Sequence, residues 1–109
     1  MGIQAFACTG NTVTFTAATS APTPVQALSS TLGGNQYRII NSGNVTVFLG
    51  YGTAAANATS NAVVVTSTQS SYPLLAGTDE ILTFMPNAYF TGITGSGSAA
   101  VYITPGDGL

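Results

Sequence analysis

The chain contains no histidine, no lysine and no tryptophan, and its single cysteine is Cys8. Without a histidine base, neither a Cys/His nor a Ser/His/Asp nucleophile system assembles within it, so the chain is not expected to be an enzyme. Zinc requires a spaced set of Cys and His, and calcium requires several acidic or carbonyl oxygens close together. Neither set is present, and no metal or cofactor is expected. Cys8 has no partner for an internal disulfide and reads as a small apolar residue.

Charge is equally scarce. Arg38, Asp79, Glu80 and Asp107 are the whole ionic inventory, 4% of the residues with a net charge of −2, against about 25% charged residues in a typical soluble protein. Nucleic acid is disfavoured as a partner, because affinity for it comes from neutralising several phosphates and only Arg38 is available. Anionic membrane surfaces are disfavoured for the same reason. A spanning helix needs about 18 or more consecutive apolar residues, and runs such as Val45 to Leu49 or Ala62 to Val65 are broken long before that. The opening "MGIQAFAC" has no basic stretch followed by a long apolar one, so no secretion leader is expected. Gly2 is followed by Phe6 where a myristoylation motif carries Ser or Thr. The triplets "NVT" at Asn44 and "NAT" at Asn57 match glycosylation acceptors, but they arise readily in a Thr- and Asn-rich chain and carry no weight without a leader.

What the chain does have is hydrophobicity, at 45% of residues, with abundant Thr, Val, Ile, Tyr and Phe. Disordered segments combine low hydrophobicity with high net charge, so this chain is expected to fold, and its 109 residues suit one core. Short alternating runs separated by turn residues predict an all-β domain. "NTVTFTA" places Val13 and Phe15 on one side and Thr12, Thr14 and Thr16 on the other. Pro22 and Pro24 place the following segment at a sheet edge or in a connection. "QYRIINSGNVTVFLGYG" predicts two strands joined as a hairpin through Asn41 to Asn44, the second lying centrally because both of its faces carry apolar groups. Gly50 and Gly52 in that strand predict a bulge or the close approach of another backbone. "TAAANATSNA" lacks an apolar stripe of helical period and reads as a loop with room for one helical turn. "NAYFTGI" and "SAAVYIT" are predicted to pair across "TGSGS".

The sum is about eight short strands in a single antiparallel β-sandwich or jelly-roll domain over residues 12–109, preceded by an N-terminal arm over residues 1–11. Val45, Val47, Leu49, Ile81, Val101 and Ile103 are its predicted core. Asp79 and Glu80, as strand neighbours, are predicted to point to opposite faces, which makes them a charged strand entrance that discourages edge pairing rather than an acid/base pair. Asp107, between two glycines in "TPGDGL", reads as part of a turn. The low charge and the tyrosines suggest surfaces built for contact with other protein. The candidate interface residues are Ile3, Phe6, Tyr51, Tyr72, Tyr89 and Leu109, with Ile3 and Phe6 on an arm expected to be ordered by a neighbouring subunit.

Three segments, "NVTVFLGYGT", "SYPLLAGTDEILTF" and "AYFTGITGSGSAAVYITPGDGL", resemble a group of small virion proteins of tailed bacteriophages. That group shares a hydrophobic strand ending at aromatic-Gly-Thr, a "PLL-x-G" segment before an acidic strand entrance, and a C-terminal run of the form V/L-Y-[IV]-T-P-G-[DE]-G-[LV]. The resemblance covers about two-thirds of the chain, from Gln36 onwards, and the closing "YITPGDGL" is its distinctive part. It implies a non-enzymatic capsid decoration or cement protein. Such a protein is a small β-domain, often trimeric, made in the host cytoplasm, which binds the major capsid protein on the outside of the head. Two other readings fit the residues: a carbohydrate- or receptor-binding β-module of a phage fibre or tail, with Tyr, Asn and Gln as a sugar platform, and a self-assembling β-filament subunit.

Overall fold

In a computed structural model of the chain, residues 6–28, 36–66 and 71–107 are described. They form nine strands and one helix: β1 (Ala7–Cys8), β2 (Val13–Ala17), β3 (Val25–Gln26), β4 (Gln36–Asn41), β5 (Val47–Gly52), α1 (Ala55–Asn61), β6 (Tyr72–Leu74), β7 (Asp79–Thr83), β8 (Tyr89–Thr94) and β9 (Ala99–Asp107). Two antiparallel sheets result. The first runs β1-β9-β4-β7, with β2 also on β9, and the second runs β3-β8-β5-β6. The chain is therefore an all-β sandwich.

The pairing is nested. Strand β2 pairs β9, β3 pairs β8, β4 pairs β7 and β5 pairs β6, as in one long antiparallel ribbon. The ribbon is rolled up by two further ladders, β4 on β9 and β5 on β8. This is jelly-roll connectivity, in which the chain changes sheet at every step from β2 to β9 except between β5 and β6.

That connectivity overturns both predicted hairpins. Strands β4 and β5 belong to different sheets, as do β8 and β9. The turn chemistry at Asn41 is present, but it builds a corner. Buried Asn41 donates through Nδ2 to Val45 O at 2.9 Å and Leu74 O at 3.0 Å, and its Oδ1 accepts from Gly43 N at 3.0 Å. Ser42 N donates to Ala100 O at 3.0 Å, which ties the start of the crossing to β9. Turn residues mark where a chain reverses; they do not specify the strand it then joins.

The core lies between the sheets. Val47, Leu49, Val101 and Ile103 are buried, as predicted, and Val45 packs against the core from its rim. Ile81 is a correction: its side chain is 50% exposed, and Leu82 is the residue of β7 that faces inward. In "DEILT" two adjacent aliphatics stand side by side, so alternation alone leaves the phase open, and the ladder to β4 sets it. Tyr37 supplies the largest fully buried side chain, with its ring edge-on to Phe90 at 5.0 Å. Its hydroxyl donates to Met85 O at 2.6 Å and accepts from Ala88 N at 3.1 Å.

The two outer faces differ. On the second sheet, α1 lies across β5 and β8 with Ala58 fully buried. A Cβ on Gly50 would stand 2.2 Å from Ala58 O, and one on Gly52 would stand 2.5 Å from Asn57 Cβ. The two glycines thus mark the close approach of another backbone. The segment predicted as a loop, with room for one helical turn, is a two-turn helix, because Ala58 fits against β5 where Gly50 and Gly52 present no side chain. No comparable element covers the outer face of the first sheet among the described residues.

Candidate interaction surface

The bare face is set by the ladders of the first sheet. Residues opposite one another share a face, so Arg38 stands in a row with Ile81 and Thr104, and Ile40 stands in a row with Asp79 and Tyr102. On β2, Thr14 extends the second row from its place opposite Tyr102. Alternation sends Tyr37, Ile39 and Asn41 inward from β4, and this sends Arg38 and Ile40 out.

A shallow groove of about 260 Å³ crosses this face, lined by Phe6, Cys8, Arg38, Ile40, Ile81 and Thr104. Phe6 reaches it by lying over Gly106, where a Cβ would come within 2.2 Å of its ring. Ile81 and Tyr102 are 50% and 40% exposed. The hydroxyls beside them are turned to one another or to backbone: Thr12 Oγ1 lies 2.6 Å from Thr104 Oγ1, and Thr14 Oγ1 donates to Val101 O at 3.0 Å. Gln36, opposite Gly106 in the ladder, has an Oε1 closed off from solvent without a hydrogen-bond partner.

The ionic groups follow the expected geometry. Asp79 points outward and accepts from Arg38 Nη2 at 2.7 Å, both side chains being about half exposed. Hydrogen bonding and charge from Asp79 raise the guanidinium above its ordinary value. Glu80 turns the other way and accepts a hydrogen bond from the Tyr72 hydroxyl, which raises that phenol. The two neighbouring carboxylates therefore share no site. Among the described residues, no three His, Cys, Asp or Glu side chains gather where they could hold a metal ion. No helix there is long and apolar enough to cross a membrane.

Of the six predicted interface residues, Phe6 lies on this face. Tyr51 packs on Phe84 at 4.3 Å between ring centroids, Tyr72 is held by Glu80, and half-buried Tyr89 sits opposite Gly52 in the second sheet. Ile3 and Leu109 lie outside the described residues, and so does the side chain of Asp107. Of the predicted arm, residues 7 and 8 pair with β9 of their own chain. Ile40, Ile81 and Tyr102 were not among the predicted interface residues. The signal for Ile40 was the burial phase of β4, where Tyr37 and Ile39 compete for the core and win it. No protein-family model, curated protein or solved structure matches this chain.

Proposed function

We propose that this chain is a non-enzymatic structural protein of a virion, one that binds the outside of a bacteriophage head and stabilises the capsid. One observation carries the reading. Among the described residues six large apolar side chains (Leu28, Val64, Val65, Leu75, Ile81 and Tyr102) are 37% to 61% exposed, while the exposed charged side chains are only Arg38 and Asp79, paired with each other. Such a surface has weak electrostatic defence against association. The jelly-roll supplies a rigid frame for it, and the resemblance of "YITPGDGL" and its neighbours to phage decoration proteins supplies the setting. The partners are then the major capsid protein and other copies of the chain.

The mechanism is mass action. A protein that binds the assembled shell and not its separate subunits stabilises the shell in proportion to the logarithm of its occupancy. Apolar burial at about 25 cal/mol per Å² supplies the affinity, less the cost of association, and this term is not screened by salt. Particles carrying the protein are expected to withstand heating better than particles lacking it. They are also expected to keep it through a step to about 1 M sodium chloride, where the Debye length falls to about 3 Å. Absence of the protein from purified particles, or its wholesale release in salt, overturns the reading.

A further inference from the structure

We propose that the bare outer face of the first sheet is a homotypic interface, on which a second copy of this chain docks about a two-fold axis. The argument rests on how that face carries its charge. Arg38 and Asp79 occupy opposite corners of a four-residue cell whose other corners are Ile40 and Ile81, since Arg38 faces Ile81 and Ile40 faces Asp79 across the β4–β7 ladder. A two-fold axis lying in the contact plane, at right angles to the Arg38–Asp79 diagonal, exchanges the cation's position with the anion's. Each Arg38 then lies over the other copy's Asp79, and two ion pairs become a ring of alternating charge. Ile81, Ile40 and Tyr102 lie close to that axis, so each meets its own counterpart, the hallmark of an isologous contact.

The surface is thus complementary to itself in charge and in apolar content. It is poorly matched to a partner of one charge sign, because its cation and anion are neighbours. The other face of the sandwich cannot serve in the same way, because α1 lies across its two central strands, β5 and β8. From the spacing of about 4.8 Å between strands and about 6.8 Å between alternate residues, the strands of the two copies cross at roughly 70°, nearer the orthogonal than the aligned class of sheet packing. Four strands of about six residues offer roughly 19 by 20 Å, about 380 Å² per copy and roughly 760 Å² in all, below the range of stable specific interfaces and within that of transient ones. The dimer is therefore weak and depends on concentration.

The test is sedimentation equilibrium on the full chain and on three variants. The unaltered chain is expected to pass from monomer to dimer as its concentration rises. Ile81→Ser, at a side chain half exposed on the outer face, is expected to weaken the dimer by at least about tenfold. Arg38→Asp and Asp79→Arg each leave like charges on the diagonal, both within the chain and across the axis, and each alone is expected to be monomeric. Mixed in equal amounts they are expected to form a heterodimer, since opposite charges then meet across the axis while the repulsion within each chain persists. Circular dichroism shows whether each variant keeps the fold; the exposed pair contributes no more than about 1 kcal/mol to it. A monomer at every concentration, a trimeric mass, indifference to Ile81→Ser, or a mixture that stays monomeric while its components are folded overturns the proposal. Retention on phage particles is a separate measurement, so the two readings stand or fall independently.

Discussion

Tyr37 shows what one side chain decides in this molecule. Its ring fills the centre of the core and its hydroxyl answers one acceptor and one donor of the β7–β8 connection, Met85 O and Ala88 N. Tyr37→Phe keeps the ring and strands both groups in a buried place, which costs about 1–3 kcal/mol. Urea titration at neutral pH is expected to show that loss as a lower midpoint with an unchanged slope. The same residue leaves a second mark at high pH. Burial raises its phenol above 10.0, with the hydrogen bond from the Ala88 backbone opposing. A phenol whose folded value is raised contributes stability that is complete below the unfolded value and is lost as pH rises through the folded one. Stability is therefore expected to be flat up to about pH 10 and to fall above it, and Tyr37→Phe is expected to fall less steeply there. An equal alkaline slope in the two proteins would assign the loss to Tyr72 instead.

At the scale of elements, α1 exists because β5 gives it a bed. Three alanines suit "AANATSN" to a helix, but there is no side-chain cap at Ala54 and no apolar stripe. Its seven residues are too few for stability in isolation. Its support is Gly50, above which a side chain has no room. Gly50→Val is expected to lift the helix and to cost about 1–3 kcal/mol, read as lost hydrogen-exchange protection at the Ala58 and Ala62 amides, with the β5–β8 ladder still protected. The same pair of elements shows how far the sequence could be read. The glycines announced that another backbone comes close, and the alternation in "NTVTFTA" gave its strand with the correct inward face. Pairing was not legible, since both predicted hairpins joined strands adjacent in sequence, whereas a rolled ribbon joins strands by mirror position about β5 and β6. Of the outer face of the first sheet, Phe6 was singled out by the sequence, but Ile40, Ile81 and Tyr102 were not, because their outward phase is fixed only when β4 takes its place between β7 and β9.

For the whole molecule, nesting means that most ladders close long loops. Val13 pairs Ile103 and Val25 pairs Phe90, so the loop entropy of the outermost pairs is lost before their contacts are gained. Folding from denaturant is expected on the millisecond-to-second scale of all-β sandwiches, checked by stopped-flow fluorescence of the tyrosines; a microsecond phase carrying the full amplitude would contradict it. The outermost rung of the ribbon has a further consequence. Ala7 lies directly opposite Asp107, so the two ends of the described chain leave the molecule side by side. A short linker put in place of the residues beyond these two positions would join β9 to β1, and the exposed turn at 95–98 could be opened in exchange. In such a circular permutant β9 runs straight into β1 and β2, and what was the most remote pairing becomes a local one. The architecture would be the same, reached by a shorter search.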